Sequence, residues 1–387
     1  MTRNLVVCTD GTWNRPDQRD RDRIVPSNVV KVARALSGKT PAGTEQRVYY
    51  DTGVGTGGRW DHFKGGVFGV GLLENVKQAY SAIGSSYRIG DRLFLFGFSR
   101  GAYTARSLAG LIGLCGIPDP TKSDVSAAVD SATRIYRSRP GKARSNNASA
   151  HVERFSHTTD GQLVRDIHFI GVWDTVGALG VPLKHLRFIG AHRHAFHDVS
   201  LGNHVAYAYH ALAIDERRKP FAPSLWSAAN VHDGQTVKQV WFPGVHSNVG
   251  GGYVDAGLSD RTFLWMCANA KAAGLGFHSE YMRRRVDPNL YGELRDSMKW
   301  YYKILGPYPR PIPDPKAAAG EAVHWSALQR LEFVTEIAYR NRPNRAVLAN
   351  AIAAGSPPVT AAMPEEDFHR AGAAPDWNDG GGVPESL

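Results

Sequence analysis

The chain has few cysteines and no long hydrophobic run, and both shortages limit what it can be. Its 387 residues include three cysteines, Cys8, Cys115 and Cys267, which lie far apart in the sequence. That spacing builds neither a disulfide framework nor a zinc site, so we expect buried thiols. Because no stretch of 18 apolar residues occurs, the sequence predicts no transmembrane helix. The first residues lack the features of a signal peptide, which predicts a cytoplasmic protein and leaves export by a specialised secretion system open.

Acidic residues are also scarce relative to basic ones. The 36 Asp and Glu residues against 46 Lys and Arg residues give a formal net charge of +10. This excess permits anionic partners such as lipid headgroups, phosphates or nucleic acid. The arginines are scattered, whereas a nucleic-acid face interleaves basic and aromatic residues in one stripe. We therefore expect no nucleic acid partner and allow a transient contact with a membrane surface. Nothing in the sequence indicates an oligomeric state.

Short apolar runs alternate with helical segments along most of the chain. Runs rich in Val, Phe and Ile without strict alternation are typical of strands buried on both faces, and they occur at 5–9, 47–51, 92–97, 167–174 and 237–245. The predicted helices between them cover 28–36, 73–85, 102–115 and 262–273. This alternation predicts an α/β fold with a mostly parallel sheet and helices on both faces. In such folds the chemistry lies at the carboxyl ends of the strands.

The spacing of these segments predicts one domain over residues 1–350. Two stretches are too long for ordinary connections, near 118–162 and 182–203, and we expect both to be lid-like insertions. The second stretch is basic and rich in histidine. Residues 365–387 are rich in Gly, Pro and acidic side chains, which predicts a disordered tail.

The strongest chemical signal is the run Gly97-Phe98-Ser99-Arg100-Gly101, which follows a predicted buried strand and leads directly into a predicted helix. A serine on such a turn is forced into a strained backbone conformation that small neighbours tolerate, and its hydroxyl is presented at the helix N-terminus. The alternative is a tight turn in which Ser99 only caps the helix. The strand and helix on either side favour Ser99 as a nucleophile.

A serine nucleophile needs a base, and the base needs an acid that fixes its tautomer. In hydrolases with this turn the chain order is serine, acid, histidine. Asp174 and His246 each follow a predicted strand after Ser99 and fit that order. Asp215 is an alternative acid, because it also lies between Ser99 and His246. Its alternative role is to pair with one of the arginines that follow it.

The loop after the first strand, which begins at Asp10, is predicted to complete an oxyanion hole. If this strand neighbours the nucleophile strand, the N–H groups of Gly11 and Thr12 act with that of Arg100 as donors. A carboxylate at Asp10 would repel an oxyanion unless it shapes the loop through hydrogen bonds or holds a cation. We favour loop shaping.

A glycine-rich segment at 53–58 follows the second predicted strand and fits the pattern G-x-G-x-x-G. No helix opens on its third glycine and no acidic residue follows a second strand at the expected distance, so we do not predict a dinucleotide site. A loop beside the active site is favoured, with Trp60, Phe63 and Phe98 binding substrate. We predict no cofactor and no metal. A nucleotide- or anion-binding regulatory module with a non-catalytic serine remains the alternative function.

Six sequence blocks together resemble, in the same order, the catalytic domain of the type VI secretion (Tle-like) phospholipase effectors, an α/β-hydrolase family. The blocks are those at 9–14, 50–55, 97–102, 172–177, 211–216 and 242–253. The resemblance implies an α/β-hydrolase fold over the predicted domain and a Ser-Asp-His serine esterase acting on phospholipid or other lipid acyl esters. It supports Ser99 and His246 by their places in the motifs.

The resemblance also shows one departure. Similar family members carry Asp where this chain has Asn248, two residues after His246. The missing charge either lowers the basicity of the histidine or removes only a loop hydrogen-bond acceptor that Asn replaces.

Overall fold

The computed structural model describes residues 2–11, 16–52, 67–177, 201–303, 306–312, 319–333, 348–349, 353, 355, 358–360, 377 and 385–386. The strands in these ranges are Asn4–Thr9 (β1), Arg19–Asp20 (β2), Arg23–Ile24 (β3), Gln46–Asp51 (β4), Arg92–Phe98 (β5), Thr158–Thr159 (β6), Gln162–Leu163 (β7), Ile167–Trp173 (β8), Val205–Ala213 (β9), Thr236–Phe242 (β10), Glu321–Val323 (β11) and Glu385–Ser386 (β12). The helices are Asn28–Ala35 (α1), Val67–Ser86 (α2), Arg100–Cys115 (α3), Val125–Arg137 (α4), Lys142–Phe155 (α5), His246–Gly250 (α6), Gly257–Ala272 (α7), Ser279–Arg285 (α8), Trp300–Lys303 (α9) and Trp325–Phe333 (α10).

The main sheet has eight strands in the order β11-β10-β9-β8-β5-β1-β4-β12, and every neighbouring pair is parallel. A parallel sheet needs crossover connections. Here α1 lies in the connection from β1 to β4, α2 in that from β4 to β5, and α3 to α5 in that from β5 to β8. The predicted α/β-hydrolase-like fold with a mostly parallel sheet is confirmed. The carboxyl ends of β1, β5, β8, β9 and β10 meet at one edge of this sheet.

The central strands β1, β5 and β8 are buried on both faces, as their composition predicts. Successive side chains of a strand point to opposite faces, and in β1 Val6 joins one hydrophobic cluster while Leu5 joins the other. α7 contributes to the cluster on the first face, and α2, α3 and α4 contribute to the one on the second. The three cysteines are free and buried, as expected.

The insertion near 118–162 folds as α4, α5 and the β6–β7 hairpin. The insertion begins after the end of α3 and ends just before β8. Both of its ends therefore lie at the edge of the sheet opposite to Ser99. It packs on α2, where a Cβ on Gly84 would lie 2.7 Å from Pro118, and on the C-terminal half of α3, where Cys115 Sγ lies 3.9 Å from the Ala132 carbonyl. These contacts make it part of the helical layer, which differs from the predicted lid. Most of the second insertion, 182–203, lies outside the described residues.

Three residues of the predicted disordered tail are described, and they pack on the domain. Trp377 is 1% exposed and its ring meets that of Phe277 edge to face at 5.8 Å. Glu385 and Ser386 pair in parallel with Arg47 and Val48 at the edge of β4. A buried tryptophan and an added strand order these three positions despite the polar composition around them. The rest of 365–387 lies outside the described residues.

Candidate active site

Ser99 occupies the turn between β5 and α3 with a left-handed backbone, φ 59° and ψ −119°. The two flanking glycines make this turn sterically feasible. A Cβ on Gly97 would lie 2.5 Å from the Gly101 carbonyl oxygen, and one on Gly101 would lie 2.1 Å from that of Thr9. The Ser99 N–H donates to the Trp173 carbonyl at 3.0 Å, which fixes the turn to the neighbouring strand. The predicted strand, turn and helix are therefore all present.

A hydrogen-bonded chain of side chains runs from Ser99 through His246 to Asp174. His246 Nε2 lies 2.8 Å from Ser99 Oγ, and His246 Nδ1 lies 2.5 Å from Asp174 Oδ2. Ser99 lies in the β5–α3 turn, Asp174 is the first residue after β8, and His246 is the first residue of α6. With the Nδ1 proton held by the carboxylate, Nε2 is left as the acceptor for the serine hydroxyl. The structure thus brings together the three predicted catalytic side chains.

Asp174 is fully buried and adopts a left-handed backbone with φ 40°. Its Oδ1 accepts the Ala213 N–H at 3.0 Å and an Arg310 guanidinium N–H at 2.6 Å. Burial would raise the pKa of this carboxyl, but the charge of Arg310 and the hydrogen bond from His246 outweigh it and hold the pKa below its ordinary value. Asp174 is therefore an anion throughout the pH range in which a histidine titrates.

The His246 ring is held between two aromatic rings. The Phe98 centroid lies 4.6 Å away on one side, and Phe221 meets the ring edge to face at 4.9 Å. Gly250 leaves room for this packing, because a Cβ there would lie 2.0 Å from Phe98. Burial lowers the pKa of His246, and the hydrogen bond and charge of Asp174 only partly offset that effect. The ring is thus rigidly held and favours its neutral form.

A second buried ion pair lies beside the histidine. Glu216 accepts from Arg218 through Nε and Nη2, both at 2.9 Å, and its Oε2 lies 3.3 Å from the His246 backbone N–H. The guanidinium of Arg218 stacks on the Phe221 ring at 3.4 Å. Burial raises the pKa of Glu216, but the hydrogen bond and charge of Arg218 outweigh it, so the pKa lies below its ordinary value. This pair fixes both the backbone of the histidine and the ring that covers it.

Asp215, the alternative acid, faces a different group. Its Oδ2 accepts the Gly244 N–H at 2.7 Å, in the turn that precedes His246. The pairing considered for it with a following arginine is not formed, because Arg217 bonds Asp296 and Arg218 bonds Glu216. Burial raises the pKa of Asp215 to about 7. Its geometry is that of a residue shaping the histidine turn.

The loop after β1 is arranged around Asp10. Asp10 Oδ2 accepts from the Ser27 hydroxyl at 2.5 Å and the Tyr50 hydroxyl at 2.9 Å. Its Oδ1 accepts the Gly11 N–H at 2.7 Å. Asp10 therefore shapes the loop, in keeping with the favoured interpretation. The same contact differs from the prediction for Gly11, since its N–H donates to this carboxylate.

Of the remaining predicted site residues, the structure describes Arg100 and Phe98. Arg100 is the first residue of α3, in the turn whose N–H groups have no acceptor within a helix. Phe98 is 2% exposed and lies under the His246 ring, so its position supports the histidine and offers little surface to a substrate. Thr12, Trp60 and Phe63 lie outside the described residues.

Asn248 is bound within its own loop. Its Oδ1 accepts the backbone N–H groups of Val245 at 3.3 Å and Arg295 at 3.2 Å, while its Nδ2 donates to the Glu293 carbonyl at 2.9 Å. The amide thus ties α6 to the 293–295 segment. Of the two interpretations of the Asp-to-Asn departure, this geometry favours the loop hydrogen bond.

Sequence reasoning missed Arg310, Phe221 and the Glu216–Arg218 pair. Arg310 lies in a proline-rich segment, 136 residues from Asp174, and no motif marks it. Across the described ranges, no group of three or more His, Cys, Asp or Glu side chains is placed to hold a metal ion. No helix in those same ranges is both long and apolar enough to cross a membrane.

The fold and this geometry define an α/β-hydrolase-like protein with a serine, a histidine and an aspartate in hydrogen-bonded series. Residues 3–269 match the family described as type VI secretion system phospholipase effector Tle1-like, catalytic domain. The chain belongs to this family of phospholipase effectors. Arg310 lies beyond the matched range.

Three individual proteins that resemble this chain are at most 27% identical to it. An uncharacterised protein of Saccharomyces cerevisiae, YEL023C, is 27% identical over 239 residues, which cover 57% of this chain and 32% of the yeast protein. This chain therefore spans about a third of that relative's length. Two solved structures are each 18% identical. An uncharacterised protein from Pseudomonas aeruginosa has a TM-score of 0.46, with 100% of this chain and 64% of that chain covered. A Tle1 effector bound to the VgrG spike has a TM-score of 0.36, with 66% and 52% covered.

Proposed function

We propose that this protein is a serine hydrolase that cleaves carboxylic esters of lipids, with phospholipid acyl esters as the substrate class. The observation that carries the proposal is the continuous hydrogen bonding from Ser99 Oγ through His246 to Asp174, with distances of 2.8 and 2.5 Å. A nucleophile, its base and the acid that orients the base need this relation during the reaction. Membership in a phospholipase effector family supports the choice of lipid substrate.

The proposed reaction has two halves. Ser99 Oγ attacks the ester carbonyl carbon as its proton passes to His246 Nε2, and Asp174 stabilises the imidazolium that forms. The Arg100 N–H at the start of α3 donates to the oxyanion, where the positive end of the helix dipole adds to the stabilisation. Collapse of the tetrahedral intermediate expels the alcohol, which takes the proton from His246. Water then attacks the acyl-enzyme by the same proton path and releases the fatty acid and free Ser99.

The net charge of +10 gives the protein a long-range attraction to anionic lipid surfaces, which supports a transient contact with the membrane that holds the substrate. The family is one of type VI secretion effectors. We therefore propose that the protein is made in the cytoplasm, as the sequence predicts, and is delivered through such a secretion system.

The proposal is tested by hydrolysis of a phospholipid and a short soluble ester by matched serine variants. Ser99→Ala should lower kcat/KM by roughly four to six orders of magnitude on both substrates. The control is Ser107→Ala in the same helix, which removes a buried hydroxyl without a hydrogen-bond partner in the described part of the chain and should leave activity within about threefold. Equal activities of the two variants would contradict a nucleophilic Ser99. Activity on the short ester alone would contradict the lipid assignment.

A further inference from the structure

Arg310 makes four hydrogen bonds through its two terminal nitrogens, although no sequence motif marks this side chain. It is 1% exposed, and its guanidinium donates to both oxygens of Asp174, at 2.6 Å to Oδ1 and 3.0 Å to Oδ2. The same two nitrogens donate to the Ala213 carbonyl at 2.8 Å and the Phe221 carbonyl at 2.6 Å. A planar guanidinium matches this fork-like arrangement of acceptors, and an ammonium does not.

The four acceptors belong to the elements that surround His246. Asp174 bonds its Nδ1, and Phe221 packs on its ring. Ala213 ends β9, and its N–H donates to the other oxygen of Asp174. Arg310 therefore joins the acid, the neighbouring strand end and the ring-bearing turn into one rigid frame. Without Arg310, both Asp174 and Phe221 would lose a contact that holds them in place.

We propose that Arg310 is a positioning residue of the active site: it orients the Asp174 carboxylate toward His246 and tunes the basicity of that histidine through its charge. The proposal rests on the proposed function, since it assigns a role within the same reaction. Orientation acts on the rate, because a misdirected carboxylate no longer fixes the reactive tautomer. Charge acts on the pH dependence, because a cation near the pair opposes protonation of the imidazole.

The other charged or titratable groups around the pair do not replace this effect. Glu216 and Arg218 face the histidine and act on its pKa in opposite directions, and they form a 2.9 Å ion pair with each other. His210 faces the acid, and burial lowers its pKa to about 3, so it stays neutral where activity is measured. Among these groups, Arg310 is the cation that bonds the acid directly. Its removal should therefore make the histidine easier to protonate.

The test compares the pH profile of kcat/KM for wild type, Arg310→Met, Arg310→Lys and a control, Arg3→Met. Arg3 makes a similar buried, two-oxygen pair with Asp91. Arg310→Met should lower kcat/KM by about 10- to 1000-fold and move the midpoint of the ascending limb to higher pH by roughly one unit. Arg310→Lys should keep the midpoint near that of wild type, because the charge remains, yet lose at least about tenfold in kcat. Arg3→Met should move neither midpoint nor kcat.

Three results would overturn the proposal. An unmoved midpoint in folded Arg310→Met would show a packing role alone. If that variant does not fold, Arg310→Lys decides, and a kcat equal to that of wild type would refute the orienting role. Failure of the proposed function is distinguishable, because wild type would then show no Ser99-dependent ester hydrolysis at any pH. A shift produced equally by Arg3→Met would also refute the assignment to the active site.

Discussion

Two buried aspartate–arginine pairs lie at opposite edges of the sheet. Asp91 precedes β5 and accepts from Arg3 at 2.6 Å and 3.2 Å, and Asp174 follows β8 and accepts from Arg310 at 2.6 Å and 3.0 Å. The remaining positions on Asp91 are taken by the backbone N–H groups of Arg3 and Arg88, at 3.2 Å and 2.9 Å. On Asp174 one such position is taken by His246. The pairs have the same chemistry and differ in what the carboxylate is left to bind.

The difference follows from the direction of the strands. At the amino edge the chain enters β1 and β5, and a buried pair there serves to join the two entering segments. At the carboxyl edge several strand ends deliver side chains into a common space, which is where open α/β sheets bind ligands. A buried ion pair alone therefore does not identify a functional site. The Asp91 and Asp174 pairs differ in the further partner of the carboxylate, which is backbone N–H for Asp91 and the His246 ring for Asp174.

The largest expected contrast is between Asp174→Asn and Asp91→Asn. Asp174→Asn should reduce kcat/KM on the order of ten-thousand-fold, because an amide no longer fixes the His246 tautomer. Asp91→Asn should leave kcat/KM within about threefold but lower the free energy of unfolding by roughly 3 to 5 kcal/mol, because Arg3 is left buried without its anion. Ester kinetics and denaturant unfolding measure the two effects.

The same series decides between the candidate acids. Asp215→Asn should cost far less activity than Asp174→Asn, because Asp215 bonds the Gly244 N–H. If Asp215→Asn lowered kcat/KM about ten-thousand-fold while Asp174→Asn stayed active, Asp215 would be the acid.

The pH dependence gives a smaller effect that sharpens the assignment. The active base is neutral His246, and burial lowers its pKa. Neutral histidine therefore persists to lower pH, and the ascending limb of kcat/KM should have its midpoint below about 6.5. Burial raises the pKa of Asp215 to about 7, so a limb set by that group would lie higher. Asp215→Asn should leave the limb in place, and a limb that disappears in this variant would contradict the assignment to His246.

The smallest effect is expected for Asn248→Asp, a change beside the histidine that does not touch its ring. The Nδ2 donor to the Glu293 carbonyl would be replaced by an oxygen, which should cost about 1 to 3 kcal/mol of unfolding free energy. The midpoint of the kcat/KM limb should move by less than about half a unit, because the carboxylate would keep the loop N–H groups as partners. A shift of one unit or more would mean that residue 248 acts on the base directly.

Most of the sheet could be predicted from the sequence because most of its strands contain a short apolar run. β1, β4, β5, β8 and β10 were all predicted from such runs, with ends displaced by up to three residues. β10 ends at Phe242, before the predicted end at 245, because Gly244 adopts φ 117°. β9 was missed because four of its nine residues are alanine, which is depleted in strands. Its place in the sheet is imposed by tertiary packing.

The site was predictable where local sequence determines local geometry. The two glycines beside Ser99 and the strand ends at Asp174 and His246 carry their own signals. Arg310 and Phe221 carry none, since their roles depend on contacts across the chain between segments with no periodic pattern. Gly11 shows a related limit, because the direction of its N–H depends on the carboxylate of Asp10 beside it. Sequence spacing can place a loop near a site without showing where each donor points.

The most direct measurement is covalent labelling by a fluorophosphonate followed by peptide mapping, on wild type, His246→Ala and Ser107→Ala. We expect a single label on Ser99 in wild type and in Ser107→Ala, and labelling at least about a thousandfold slower in His246→Ala, because the base no longer accepts the serine proton. A folded wild-type protein that takes no label, or a label on another residue, would contradict this expectation. Undiminished labelling of His246→Ala would contradict the role of the histidine.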